Sequence, residues 1–427
     1  MTAFGDKNAP LHDRRALGAA YMSGLAQAAF GPLVALWVFS GAFVFIEPSP
    51  YEVLFLAVLG LSIFAGLKLD KGTLPLLYVV LAFTPFALIA VFQVKHRDLD
   101  KTLLYTLVTI FLMLTSYIVA NFVAQVPLRS MRIVGKAYIA AAIVAAVVGT
   151  AAYLGFLPGE GALVLYGRAR AFFNDPNVYG PFLILPAMFL LQRTLLGTRR
   201  EALMGAALYL VIFVGVFVSF SRGAWGHMAV SSALVFFLCF FLEAKAHDKV
   251  RMLMLAIGGI MVVAALLMAL LSIESVAALF AERFALTQSY DSGATGRFGR
   301  IGYAFDLALT HPWGLGPLEF SSLRISEQPH NTYINVLHAY GWGGGFAYFV
   351  LVIWTLAKGT GTLARRSPNR LLLIPVYATF VPMIILSGII DTDHWRHWFL
   401  VTGLLWGVCA GYRRTDPAQT DGRRALV

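Results

Sequence analysis

The feature that most constrains this chain is a succession of apolar runs of membrane-spanning length. They fall near residues 28–46, 52–67, 74–94, 102–122, 133–156, 177–195, 202–220, 224–242, 252–272, 332–357, 371–390 and 395–411. An α-helix rises about 1.5 Å per residue, so roughly 20 apolar residues cross the hydrocarbon core of a bilayer. In hydrocarbon every backbone N–H and C=O must be satisfied within the segment, which restricts such runs to helices. The reading is therefore all-α: a single polytopic membrane domain over residues 1–427 with about 12 transmembrane helices, the second of them short. Composition agrees, with 59% hydrophobic residues and 13% charged, half the charge of an ordinary soluble domain. The first run, from Leu25 to Ile46, is too long for a signal-peptide core and lacks a small-residue cleavage site after it, so it reads as a retained helix. Cys239 and Cys409 lie inside apolar runs and read as small apolar filler.

A formal charge of +11 invites a nucleic-acid reading, but the placement of the cations argues for membrane topology instead. With the N-terminus in the cytoplasm and spans alternating, the inner segments hold Lys7, Arg14, Arg15, Lys68, Lys71, Arg129, Arg132, Lys136, Arg193, Arg199, Arg200, Lys245, Lys249, Arg251, Lys358, Arg365, Arg366, Arg370, Arg413, Arg414, Arg423 and Arg424. That is 22 of the 33 Lys and Arg, a two-to-one bias that places both termini inside. The outer cations are then the unusual ones. Lys95, Arg97 and Lys101 sit among acids in an ordinary loop; the others are Arg168, Arg170, Arg222, Arg283, Arg297, Arg300, Arg324 and Arg396.

The longest connection, residues 274–330, carries aromatics and helical periodicity. From Arg297 to Leu309 the apolar residues Phe298, Ile301, Ala304, Phe305, Ala308 and Leu309 form one stripe at about 100° per residue, predicting an amphipathic helix at the outer interface that His311-Pro312 stops. Arg297 falls within that stripe, so it points to protein or membrane and needs an anionic partner. Arg222 opens the eighth span between Ser219, Ser221 and Gly223, a helix start that suits an anion; an interfacial Arg beside a helix cap is the structural alternative. His330-Asn331 opens the tenth span, where an imidazole can act as general base or as a structural residue. His338 lies two turns further in, as a supporting residue or simple core. Asn174-Asp175-Pro176-Asn177 reads as a turn and helix cap, with Arg168 and Arg170 adding charge just before it. Asp391, Asp393, His394 and His397 resemble a metal-binding pattern that is equally an acidic juxtamembrane loop; no metal is expected there.

These pieces resemble the O-antigen ligase superfamily, which includes O-antigen ligases and O-antigen or exopolysaccharide polymerases. The resemblance spans roughly residues 160–410. It is carried by Arg170 to Gly180 (RAFFNDPNVYG), Ser219 to Ala224 (SFSRGA), Gly296 to Phe320 (GRFGRIGYAFDLALTHPWGLGPLEF) and His330 to Gly345 (HNTYINVLHAYGWGGG). It implies a C-type glycosyltransferase in a bacterial inner membrane with its active site facing the periplasm. The implied donor is a glycan on a polyprenyl diphosphate, and the acceptor lipid A-core or a growing glycan. Neither a metal nor a nucleotide sugar is implied as cofactor. By the same resemblance Arg222, Arg297 and His330 are the catalytic residues, with Arg300, Arg170, Ser221, Asn331 and His338 as substrate-binding candidates. Expected partners are membrane lipids and other polysaccharide export proteins, with no nucleic acid. The short run from Glu319 to His330 leaves little room for a bulky core acceptor, favouring a polymerase role. A transporter or flippase for lipid-linked glycans would instead show two similar halves and polar residues at the midplane; a non-catalytic assembly subunit is the third class.

Overall fold

A computed structural model describes residues 11–45, 48–158, 161–284, 293, 296–323 and 327–411, with side chains from Gly24 onward. Lys7, Arg324, Arg413, Arg414, Arg423, Arg424 and the side chains of Arg14 and Arg15 lie outside the described residues. Each apolar run of the sequence forms a helix. In chain order these are α1 (Leu11–Ser40), α2 (Pro50–Phe64), α3 (Leu74–Val91), α4 (Leu99–Gln125), α5 (Pro127–Tyr153), α6 (Pro176–Phe182), α7 (Ile184–Leu196), α8 (Arg199–Val218), α9 (Arg222–Leu242) and α10 (Ala246–Leu271). There follow α11 (Glu274–Phe284), α12 (Arg297–Thr310), α13 (Phe320–Leu323), α14 (Thr332–Leu363), α15 (Arg370–Leu386) and α16 (Arg396–Gly411). Eight segments are long and apolar enough to cross a membrane, counting α6 and α7 as one; Gly24–Ser40, α2 and α15 are shorter apolar helices. The protein is a polytopic helical membrane protein. One departure from an all-helical chain is a two-stranded antiparallel ladder, β1 (Val164–Leu165) with β2 (Arg168–Ala169).

Helix starts are fixed by local chemistry. Ser49 and Glu52 form a capping box at α2, and Thr198 and Glu201 form one at α8, each satisfying otherwise orphaned N–H groups. In hydrocarbon there is no hydrophobic drive between helices, so close packing depends on small residues. α16 lies along α4 through Gly403, Gly407 and Gly411 at four-residue spacing. A Cβ on Gly403 would sit 2.5 Å from the Ser116 carbonyl oxygen, and one on Gly407 2.7 Å from that of Ala120. α10 is the opposite case, with none of its most apolar window buried inside the protein.

The connections sort into two ends. At one, Val44 N–H donates to Phe172 O, Arg396 pairs with Glu52, Arg97 donates to Leu318 O and the Ser321 hydroxyl, and Thr332 bonds Ile390 O and Thr392. At the other, the Asp70 N–H donates to Asn121, Lys358 to Gly72 O, Arg251 to Gly197 O, and Arg370 pairs with Glu243. The loops that the sequence assigns outside are thus gathered at the first end, and those assigned inside at the second. Cys239 and Cys409 are both free and buried.

Candidate functional site at the arginine-rich end

At the first end a cavity of about 490 Å³ opens between α9, α11, α12 and α15. Four guanidinium side chains line it, from Arg168, Arg222, Arg283 and Arg297, with Asn177, Ser221 and His227. Among the described residues lining it, none is a carboxylate. The remaining wall is apolar: Phe220, Val230, Pro382, Ile385, Leu386, Ile389 and Ile390, floored by Gly223 and Gly226. Ile385, Ile389 and Val230 are exposed, so the cavity opens sideways, where a bilayer surrounds the bundle. A cationic head joined to an apolar lateral groove fits an amphiphile with an anionic headgroup.

Local structure aims the arginines. Phe220 takes a left-handed backbone, φ 46°, a conformation costing a bulky residue about 1–3 kcal/mol. It ends α8's approach and turns the chain into α9, where the Ser221 hydroxyl caps by accepting from Ala224 N–H. Arg222 is therefore the first residue of α9, and Arg297 the first of α12 after Gly296. Both cations sit at helix N-termini, whose free N–H groups add to the positive field. Arg168 is buried and braced, donating through Nε to Ser219 O at 2.9 Å and through a terminal nitrogen to Asn177 Oδ1 at 2.8 Å. Asp175 caps α6 by accepting from Asn177 N–H at 2.6 Å, so the expected turn and cap also orient a cavity residue.

The sequence stripe on α12 divides in two. Ala304 and Ala308 are buried against the bundle, together with Arg300 from outside the stripe, while Phe298, Phe305 and Leu309 are exposed. Arg300 does not line the cavity: it pairs with Glu327. That guanidinium, with His330 nearby, holds the Glu327 carboxyl below its ordinary range. Glu327 Oε2 in turn lies 3.7 Å from His330 Nε2, and Asp391 Oδ2 3.3 Å from His330 Nδ1. His330 has φ 57°, and Asp391 directly follows the cavity residues Ile389 and Ile390. His330 thus sits at the cavity's edge rather than in its lining, joined to Arg297's helix through Glu327 and Arg300.

Three other expected residues lie elsewhere. Arg170 donates to Asn174 O and Gly161 O in its own loop, and Arg168 takes the cavity position. Asn331 caps α14, accepting from Ile334 N–H and donating to Gly388 O. His338 is fully buried on α14 with its ring against Phe320. Ser221 does line the cavity. The Asp391–His397 cluster is dispersed: Asp393 accepts from Asn335, His394 bonds Thr109 and stacks on Tyr105, and Asp391 faces His330. Among the described residues no group of three or more His, Cys, Asp or Glu is placed to hold a metal ion. Sequence reasoning named Arg168 only as added charge beside Arg170, and it missed Arg283 and His227 as cavity residues.

Fold and site together define a polytopic helical membrane protein with an amphipathic, arginine-lined cavity at one end. Residues 207–349, about a third of the chain, match the family described as O-antigen ligase, which carries the resemblance to the O-antigen ligase superfamily and to its ligase- and polymerase-type enzymes of glycan transfer. The match includes Arg222, Arg283, Arg297, Arg300 and His330, whereas Arg168 and the α15 wall lie beyond it. No curated protein matches the chain.

Proposed function

We propose that this protein transfers a glycan from a polyprenyl diphosphate to a sugar hydroxyl at the periplasmic face of a bacterial inner membrane, in O-antigen or exopolysaccharide polymerisation or in ligation to lipid A-core. The observation that carries the proposal is the cavity itself, four guanidinium groups with no carboxylate among the described lining residues, continuous with an apolar wall open to the side. The acceptor oxygen attacks the anomeric carbon from the face opposite the diphosphate, so configuration inverts. As the bond between the anomeric carbon and the diphosphate oxygen breaks, its electron pair leaves with that oxygen, and Arg222 and Arg297 stabilise the new charge on the diphosphate. Forked, permanently charged guanidinium suits phosphate oxygens, and fixed donors aimed at developing charge cost no reorganisation. Asp391 beside Nδ1 favours the proton there, leaving Nε2 of His330 to take the acceptor's hydroxyl proton.

The test is turnover of a lipid-linked glycan by the purified protein in proteoliposomes. Arg222→Lys and Arg297→Lys each keep the charge but lose the fork, and each lowers turnover by about 10²–10³-fold. Unchanged turnover in both rejects the reading. Surface glycans of a deletion strain then separate the two roles: accumulated single repeat units mean polymerase, and accumulated lipid-linked polymer means ligase.

A further inference from the structure

Among the described residues one imidazole lines the cavity, and the proposed transfer does not use it. His227 lies on α9, five residues past Arg222, and is 2% exposed. Its Nε2 lies 3.0 Å from Thr379 O. A carbonyl can only accept, so Nε2 carries a hydrogen and the tautomer is fixed. Nδ1 is buried and has no hydrogen-bond partner among the described residues. The other polar groups of the wall are engaged differently: Asn177 Oδ1 accepts from Arg168 and the Ser221 hydroxyl from Ala224 N–H. His227 Nδ1 is thus a lone pair in a wall of cationic donors.

That arrangement has a consequence for an anionic ligand. Phosphate oxygens are acceptors, and an acceptor facing an acceptor in a site shielded from water is repulsive. If Nδ1 gains a proton the repulsion becomes a charge-assisted hydrogen bond, with Nε2–H still donating to Thr379 O. In the empty cavity the four arginines oppose that added charge; a bound diphosphate offsets them. The groups facing His227 are otherwise few. α6 contains no charged residue, and the charges of α7, α8 and α15 (Arg193, the Arg199–Glu201 turn and Arg370) lie at the opposite ends of those helices. From α16, His397 is within electrostatic reach.

Resting on the lipid-diphosphate reading of the site, we propose that His227 binds the headgroup in its protonated form, so that the cavity takes up a proton with the diphosphate and releases it with the product. The role is distinct from that of His330: His330 sits at the cavity's edge, whereas His227 lies on α9 about 7.5 Å along the helix axis from Arg222 at about 1.5 Å per residue.

The experiment is binding of a polyprenyl diphosphate to the full-length protein in nanodiscs between about pH 6 and 8.5, for the native chain and for His227→Gln. Glutamine keeps an N–H for Thr379 O but does not titrate. One linked proton changes affinity by up to about tenfold per pH unit. The ligand's own titration is common to both proteins, so the native chain loses affinity more steeply with rising pH than the variant. Calorimetry of the native chain in buffers of different ionisation enthalpy measures the same proton directly and needs no variant. Equal pH slopes, or no buffer-dependent proton uptake, overturn the role of His227 while leaving the lipid-diphosphate reading intact. Absence of diphosphate binding at every pH overturns both.

Discussion

At Gly226 a Cβ would meet nothing within 4 Å, because the residue faces the open groove between α9 and α15 rather than a packed neighbour. Gly226→Leu is therefore expected to fold, with a melting temperature within a few degrees of the parent, while its side chain occupies the path of a lipid chain. The expected result is a raised KM for a long polyprenyl donor and a smaller effect on a short one, measured by glycan turnover with both. Gly223 lacks that freedom: a Cβ there comes 2.6 Å from Leu386. His330 gives a second prediction at this scale. His330→Gln removes the proposed base and lowers kcat by about 10²–10⁴-fold, and Asp391→Asn lowers kcat with little change in KM, since it disturbs the tautomer and not the binding of the donor. How much of the site a sequence discloses is also decided residue by residue. Arg297 was legible because helical periodicity placed it on a face that had to be covered. Arg168 and Arg170 were not separable, since strand alternation puts both on one side. The ladder ends at Ala169 and Ala171 turns left-handed at φ 47°, so only Arg168 reaches Ser219 and Asn177; a break of that kind leaves no periodic trace.

Among the elements, α14 combines two roles at one glycine. Gly341 interrupts the helix at φ 72° and ψ −175°, which frees backbone groups that segment 312–316 then satisfies. Trp342 N–H donates to Pro312 O, and the N–H groups of Leu315 and Gly316 donate to His338 O and Ala339 O. A Cβ at Gly341 would sit 2.4 Å from Pro312 O. Gly341→Ala combines that clash with a backbone that glycine alone adopts readily, so it costs more than about 1 kcal/mol and undocks the segment between α12 and His330. The measurement is thermal unfolding together with turnover, both of which fall. The connection before α16 supplies a pH prediction. Burial, with the charge of Asp391 added, holds the Asp393 carboxyl above the ordinary carboxylate range. A carboxyl bound more tightly to its proton in the folded state destabilises the fold as pH rises from about 4 through its raised pKa. Asp393→Asn removes that dependence, so its melting temperature varies less than the parent's over that interval and is higher at neutral pH. Of these features the eight segments long and apolar enough to cross a membrane were written in the sequence as apolar runs, whereas the count of about twelve spans exceeds them; the end of α12 was written as His311-Pro312. The kink of α14 was not, because Tyr340-Gly341-Trp342-Gly343-Gly344-Gly345 offers several glycines and only the docked segment selects Gly341.

For the molecule as a whole, the distribution of charge joins topology to chemistry. The cations that the sequence assigns inside, from Lys68 and Lys71 through Arg129, Arg132 and Lys136 to Arg365 and Arg366, flank the end opposite the cavity, and four of the arginines left over from that pattern, Arg168, Arg222, Arg283 and Arg297, line it. On the proposed topology, with the positively biased end in the cytoplasm, the cavity would face the periplasm, where no nucleotide supply exists and the donor must carry its own leaving group. The orientation has a direct check. Cys239 and Cys409 are buried, so the chain has a quiet thiol background for labelling with a membrane-impermeant maleimide. Lys95 and Lys68 are both exposed, at the cavity end and the opposite end respectively. In cells with a permeabilised outer membrane, Lys95→Cys is labelled at once and Lys68→Cys only after the inner membrane is opened. The reverse pattern would place four arginines of the cavity in the cytoplasm, where soluble nucleotides and phosphates compete for them, and the proposed periplasmic transfer could not stand.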